Sequence, residues 1–235
     1  IIAHFLGTAA NGVYSIANKF PNVFINFYNI LNLSWTETVS LHFDDEDRDE
    51  FLTETMTSLF KLFAAACFGI VACMPFVFPI LINEKYVAGY DQILILMYAM
   101  LFRVLVGLYS CIYVAQKNAK KIAYTSISAA IINITVNLIL INKIKIFAAS
   151  ISTLVAFFSM FIIRYIDVNK TVHMRIRKPI IIGSILIGTM LIGTYYCENK
   201  MIQLIALCIT AIYAVLTNVD MLKSGMKLVK SRFGK

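Results

Sequence analysis

Polar side chains interrupt one apolar stretch near the start of the chain at intervals of three and four residues. These intervals place them on a single stripe of a helix, formed by Asn11, Ser15, Asn18, Asn22, Asn26 and Asn29. Lys19 borders the stripe, and a lysine in hydrocarbon costs roughly 2.5–3.5 kcal/mol. We therefore favour a helix that lines a hydrated cavity for polar cargo. The alternative is that the asparagines join neighbouring helices through hydrogen bonds, which is common in membrane bundles.

A second candidate is Arg103, which lies well inside the apolar stretch Ile93–Ala115 and cannot easily reach the membrane surface. Arginine stays charged and can hold a phosphate through two parallel hydrogen bonds, so Arg103 could contact an anionic head group. The alternative is an ion pair with a carboxylate elsewhere. A shorter polar stripe, which includes Asn133 and Asn137, follows later in the chain. The candidate binding residues are Lys19, Arg103, Asn18, Asn22, Asn26, Asn133 and Asn137.

Residue patterns typical of enzymes and metal sites are absent from the sequence. The five cysteines and three histidines are scattered and show no spacing typical of metal ligands. There is no phosphate-binding glycine loop, no nucleophile elbow and no paired-carboxylate motif. We therefore expect a protein that is not an enzyme and that uses neither a metal nor a cofactor.

The elements that carry these residues are long apolar blocks. Of the 235 residues 60% are hydrophobic and 14% are charged, and the mean hydropathy is +0.77, which is too apolar for a soluble domain. A bilayer core about 30 Å thick needs about 20 helical residues. After an apolar stub, Ile1–Leu6, the sequence predicts an all-α transmembrane protein with about seven spans. These are Val13–Leu41, Leu59–Ile82, Ile93–Ala115, Ile122–Ile141, Ile144–Ile166, Ile180–Tyr196 and Met201–Thr217.

Lysine and arginine are distributed unequally between alternate loops. The rich set comprises Arg48, Lys117, Lys120, Lys121, Arg164, Lys170, Arg175, Arg177, Lys178, Lys223, Lys227, Lys230, Arg232 and Lys235. The poor set comprises Lys85, Lys143, Lys145 and Lys200. Basic loops stay in the cytoplasm, so we expect the rich set and the C-terminus to be cytoplasmic. The net charge of +8 reflects mostly this asymmetry, so no nucleic-acid partner is expected.

Several short motifs resemble those of a known family. Residues Phe5 to Pro21, FLGTAANGVYSIANKFP, are similar to the "LG…GxYxxAxKxP" stretch of Wzx-like polysaccharide flippases. Further matches follow in order at Trp35, Asn83–Tyr86, Ala115–Lys121 and Ile131–Asn137. This family exports O-antigen, capsule and teichoic-acid type precursors and belongs to the multidrug/oligosaccharidyl-lipid/polysaccharide superfamily. The chain departs from the pattern in two places: it has no proline near Thr36–Thr38, and Ile146–Ala149 replaces a glycine-rich segment.

The resemblance implies a MATE-like transporter with two six-helix lobes. Residues 1–166 would be the second, C-terminal lobe, from the end of helix seven to helix twelve. Residues 167–235 would be accessory helices thirteen and fourteen and a basic cytoplasmic tail. The isoleucine start, inside an apparent helix end and without a signal peptide, also suggests that an N-terminal lobe precedes the chain.

The implied activity is the flipping of undecaprenyl-diphosphate-linked oligosaccharide across the cytoplasmic membrane by alternating access. Asparagines would bind sugar hydroxyls, and Lys19 and Arg103 would attract the diphosphate. The expected partners are this substrate, membrane lipids and the N-terminal lobe, with possible proton or sodium coupling.

Two other functions stay open. A multidrug exporter of the same superfamily would use an intramembrane acid, but no Asp or Glu lies in the middle of the predicted spans. A multispanning envelope polysaccharide enzyme would need a large outside loop, and the longest here is Asn83–Gln92.

Overall fold

The structure is a computed structural model that describes residues 1–224, and within them every regular element is helical. The elements are α1 (Ile2–Ala17), α2 (Lys19–Leu41), α3 (Arg48–Leu81), a 3-10 helix (Glu84–Gly89), α4 (Tyr90–Ala115), α5 (Ala119–Ile144), α6 (Phe147–Val168), α7 (Lys178–Tyr195) and α8 (Lys200–Thr217). The all-α prediction is confirmed. The predicted basic tail lies mostly outside the described residues.

Within residues 1–224, six helices, α3 to α8, are long and apolar enough to cross a membrane, against the about seven spans predicted from the sequence. The first predicted span, Val13–Leu41, is not among them. It is divided at Asn18, between α1 and α2. Pro21 explains the position of the break, because a proline ring crowds the carbonyl four residues earlier, here that of Ala17. The asparagines of α2 also lower its mean hydropathy.

The longest helix is α3, whose 34 residues extend about 51 Å at about 1.5 Å per residue. This length exceeds a bilayer core of about 30 Å, so the first turns of α3 reach beyond the apolar layer. The α6–α7 linker, residues 169–177, lies against this extension: the His173 amide donates to Asp49 Oδ2 at 2.9 Å, and Arg177 pairs with Glu54 at 2.8 Å. We name this end of the bundle, where α2, α4 and α6 finish, the basic end.

The centre of the bundle is α4. It packs against α2 on one side and α6 on another, while α5 packs on α6, and α7 and α8 pack on α3. The side chains of α4 are therefore buried on several sides of the helix, among them Leu96, Met97, Val104, Leu108 and Ile112. Since every other span is attached to α4 directly or through one neighbour, the position of α4 sets the position of the polar residues described below.

The side chain of Tyr28 on α2 packs directly against Gly107 of α4. A Cβ atom at this position would overlap the hydroxyl and ring of Tyr28, so only glycine leaves room for the tyrosine. The Tyr28 hydroxyl then donates to Asn32 Oδ1 at 2.6 Å. Gly107 thus allows a bulky aromatic and its hydrogen bond to lie between two tightly packed helices.

We predict that Gly107→Ala destabilises the protein by about 1–3 kcal/mol, the usual cost of overpacking a filled interface. A lower midpoint of thermal unfolding in detergent would report it. The matched control is Gly193→Ala on α7, where the new Cβ meets nothing within 4 Å. Adding Tyr28→Phe should recover part of the loss, because the first overlapping atom is removed. An unchanged midpoint in Gly107→Ala would contradict the close approach.

Candidate functional site: a polar face along α2 and α4

The polar stripe of α2 lies on the uncovered side of the helix. The buried side of α2, which faces the rest of the bundle, carries Phe24, Ile25, Tyr28, Trp35 and Val39. The exposed side carries Lys19, Asn22, Asn26 and Asn29, as the helical spacing predicted. Polar groups at membrane depth need water, head groups or a protein partner. The same side also exposes Val23, Ile30 and Leu33, so its polar groups stand among apolar ones.

A row of hydrogen bonds joins α2 to α4 beside this stripe. The Trp35 indole donates to the Leu108 carbonyl at 3.1 Å. The Thr36 hydroxyl lies 3.2 Å from Cys111 Sγ, and Cys111 also approaches Asn32 Oδ1 at 3.6 Å. Sequence reasoning did not select Asn32, although it continues the asparagine spacing three residues after Asn29. These contacts hold the exposed stripe at a fixed angle to α4.

Asn18 has a structural role in the described residues. Its side-chain amide donates to the Tyr14 carbonyl at 2.8 Å, and its backbone amide bonds to the same carbonyl at 3.1 Å. The half-buried Asn18 therefore stabilises the junction between α1 and α2 rather than presenting a free amide. Lys19, the next residue, is exposed at the start of α2.

Arg103 lies halfway along α4 with an exposed side chain. Its guanidinium stands 5.9 Å from the centre of the Phe157 ring of α6, a distance typical of cation–π contact. One turn further along α4 is Gly107, which Tyr28 of α2 contacts. Arg103 is thus positioned where α2, α4 and α6 meet. None of the ion pairs among residues 1–224 includes Arg103 or Lys19.

A further cation, Arg164, was wrongly grouped with the basic loop residues. It lies inside α6 and is only 2% exposed. Its Nε and Nη2 donate to Thr125 Oγ1 at 3.0 and 2.8 Å, and its Nη1 donates to the Val106 carbonyl at 3.1 Å and to Ser110. The sequence could have shown that Arg164 is not a loop residue, because it falls within the predicted span Ile144–Ile166.

The partners of Arg164 are all neutral oxygens, contributed by α4 and α5. Arginine carries five N–H donors in a rigid fork, and here the fork reaches a third hydroxyl, Ser126 Oγ, at 3.3 Å. Toward the basic end, Asp167 accepts from Lys121 at 2.7 Å and from the Tyr113 hydroxyl at 2.9 Å. Together these contacts fasten α4, α5 and α6, and they leave the charge of Arg164 unpaired by any described carboxylate.

The three cations occupy different depths. Lys19 lies near the start of α4, since Ala17 approaches Gly89. Arg103 lies at the middle of α4, and Arg164 contacts Val106 and Ser110, nearer the basic end. The structure therefore arranges Lys19, Arg103 and Arg164 in sequence along the bundle and does not gather them into one cluster.

The second asparagine stripe lies elsewhere, between α5 and α6. Asn133 donates to Thr153 Oγ1 at 3.3 Å. Asn137 is 5% exposed, and its Oδ1 has no hydrogen-bond partner among the described residues. The contact of Asn133 matches the alternative in which asparagines join helices, and neither residue shares the exposed side of α2.

Comparison with known proteins does not identify a family for the chain. No protein-family model, no curated protein and no solved structure matches the chain. No group of three or more His, Cys, Asp or Glu side chains in residues 1–224 could hold a metal ion. The class of the chain therefore comes from its helices: six are long and apolar enough to span a membrane, and they indicate a multi-pass membrane protein.

We predict that Arg164→Lys lowers stability by about 1.5–3 kcal/mol or more, because three ammonium donors cannot reach all the oxygens that the guanidinium binds. The midpoint of thermal unfolding in detergent measures the loss. Arg177→Lys is the matched control, since Arg177 and Glu54 are 63% and 59% exposed and such pairs contribute about 0–1 kcal/mol. Equal midpoints for the two variants would show that Arg164 does not fasten the helices.

Proposed function

We propose that the chain is part of a transporter that flips undecaprenyl-diphosphate-linked oligosaccharide, a precursor of surface polysaccharide, across the cytoplasmic membrane by alternating access. The observation that carries the proposal is the uncovered polar face of α2 and α4, with Lys19, Asn22, Asn26 and Arg103 exposed. The sequence resemblance to Wzx-like flippases suggests the particular cargo.

Exposure of these residues favours a water-filled passage. Leaving a lysine in hydrocarbon costs roughly 2.5–3.5 kcal/mol, and each asparagine amide adds an unmet demand for hydrogen bonds. The asparagines of α2 would supply these hydrogen bonds to sugar hydroxyls, and the two cations would attract the diphosphate. The hydrogen bonds of Trp35, Thr36 and Cys111 between α2 and α4 would keep these two helices fixed relative to each other while the lobes move.

The separation of the cations suits a moving cargo. A site that bound the diphosphate tightly at one depth would hold it there, whereas successive weaker sites allow entry and release. Lys19 near one end of the passage and Arg103 at mid-depth would act in succession. Arg164, whose donors are all occupied, would contribute its positive charge without touching the cargo.

The same face argues against a multidrug exporter that selects cations. Such a site needs an acidic residue at membrane depth, and the only carboxylate in α2 is Glu37, close to the basic end. The cations of α2 and α4 would repel a cationic drug.

We predict that Arg103→Ala and Lys19→Ala, each made in the full-length protein in a deletion strain, lower surface polysaccharide by about 10- to 100-fold. This range corresponds to the roughly 1.5–3 kcal/mol of a hydrogen bond to a charged group. Extraction and quantification of surface polysaccharide at matched protein levels provide the measurement. Arg103→Lys should retain part of the activity, because it keeps the charge.

Lys223→Ala is the control, an exposed lysine shortly after α8, which packs on α3 and α7, and should export normally. Normal export by both alanine variants at normal protein level would remove the site from consideration. Unchanged polysaccharide in the deletion strain itself would remove the proposed function.

A further inference from the structure

A cavity of about 500 Å³ lies at the end of the bundle opposite the basic end, where α3 and α7 finish and α4 and α8 begin. Small-molecule sites commonly have volumes of about 300–1,000 Å³. The lining comes from these four helices, from the 3-10 helix and from the α7–α8 loop, and it includes Phe78, Pro79, Tyr90, Tyr195, Tyr196 and Gln203. We name this feature the four-helix cavity.

Tyrosines of α4 and α7 hold the wall of the cavity in place. Tyr90 and Tyr195 each donate a hydroxyl hydrogen bond to the other's backbone carbonyl, at 3.2 and 2.9 Å, and their rings are stacked 4.4 Å apart. The next residue, Tyr196, donates to the Asp91 carbonyl at 3.3 Å and is 50% exposed. Since the hydroxyls are bonded to the protein, these tyrosines offer a ligand mainly the surface of their rings.

Carboxylates reach the cavity from three different elements. Glu84 belongs to the 3-10 helix, Asp91 to the first turn of α4, and Glu198 to the α7–α8 loop. None of the ion pairs among residues 1–224 includes these three residues. Among the described lining residues the only cation is Lys200, so the cavity carries an excess of negative charge.

Lys200 is already bound to α3. Its ammonium donates to the Pro75 carbonyl at 3.1 Å and stands 5.6 Å from the centre of the Phe76 ring. That carbonyl lacks its usual helical partner, because Pro79, four residues later, has no N–H. Lys200 therefore satisfies an oxygen of α3 and forms no ion pair with a carboxylate of the cavity.

A buried acceptor in the same wall has no partner. Gln203 is 6% exposed, and its Nε2 donates to the Cys197 carbonyl at 2.7 Å. Because a carbonyl can only accept, this bond fixes the orientation of the amide and leaves Oε1 without a hydrogen-bond partner among the described residues. Both Gln203 and Cys197 line the cavity, so the amide lies at its wall. The unmet acceptor requires a donor, as the carboxylates do.

We propose that the four-helix cavity binds an alkyl polyamine, a molecule whose ammonium groups are joined by methylene chains. Its ammonium groups would donate to Glu84, Glu198 and Gln203 Oε1. The ring of Tyr196 would contact the methylenes and attract the adjacent positive charge. A metal ion suits the cavity less, because no group of three or more His, Cys, Asp or Glu side chains in residues 1–224 could hold one.

The site does not depend on the proposed transport function, because it shares no residue with the polar face. A polyamine in the four-helix cavity would bridge α3, α4, α7 and α8. Its binding is therefore expected to hold the α7–α8 pair against the rest of the bundle, whereas the cargo would contact α2 and α4.

The test uses the full-length protein, purified into an uncharged detergent, and measures binding of radiolabelled spermidine by equilibrium dialysis. We expect saturable binding. The double variant Glu84→Gln with Glu198→Gln should bind spermidine about tenfold more weakly or worse, because charge-assisted hydrogen bonds are lost. Its matched control, Glu46→Gln with Glu50→Gln, removes two exposed carboxylates at the basic end and should bind normally.

A second pair of variants tests the aromatic part of the site. Tyr196→Leu should weaken spermidine binding, whereas Tyr196→Phe, which keeps the ring and loses only a hydroxyl bonded to the protein, should not. Putrescine should displace spermidine more effectively than Mg²⁺ does at the same charge concentration. Equal displacement by Mg²⁺ would indicate a merely acidic surface and would overturn the proposal. So would the absence of saturable binding, or equal binding by the Glu84/Glu198 variant and its control.

Discussion

Hydrogen-bonding groups in an apolar bundle must find partners without the help of water, and this constraint governs the arrangement of the helices. Arg164 illustrates it most clearly. Its guanidinium is almost completely buried, and its donors reach hydroxyls and carbonyls of α4 and α5. Moving any of these helices would leave a buried charge without hydrogen bonds, which is far more costly than losing apolar contact alone. The packing of α4, α5 and α6 depends on that set of bonds.

The same constraint divides the polar residues into two groups. One group has its partners inside the bundle: Trp35 with Leu108, Tyr28 with Asn32, and Asn133 with Thr153. The contacts of Trp35 and Asn133 join neighbouring helices, and that of Tyr28 lies within α2. The other group, which includes Lys19, Asn22, Asn26 and Arg103, is exposed on α2 and α4. Residues that the fold does not use for its own hydrogen bonds are the ones available to a polar cargo.

The apolar surface shows a comparable division. Most exposed leucines and isoleucines of α5, α7 and α8 present a surface suited to lipid tails. A groove between α7 and the pair α4 and α6 differs because its walls are concave and its hydroxyls are already hydrogen-bonded. The polar face and this groove therefore offer opposite chemistry, and α4 contributes to both.

The sequence by itself determined the helical class, most of the spans and the exposed asparagine stripe with Lys19. These features depend on hydropathy and on spacing along one helix, which are local properties of the chain. Arg103 was also recognisable, because a charge deep in an apolar block is conspicuous.

Only the tertiary structure decided which polar side chains are already satisfied. Periodicity gives the face on which a residue lies, but it does not tell which neighbour covers that face. For this reason Asn133 and Asn137 were grouped with a cavity although they lie between α5 and α6. Arg164 and Asn32 could have been selected from the sequence, but the partners that Arg164 reaches on α4 and α5 could not. Whether a polar group in a membrane bundle holds the helices together or is free to bind a ligand depends on the atoms opposite it. Those atoms come from distant parts of the chain.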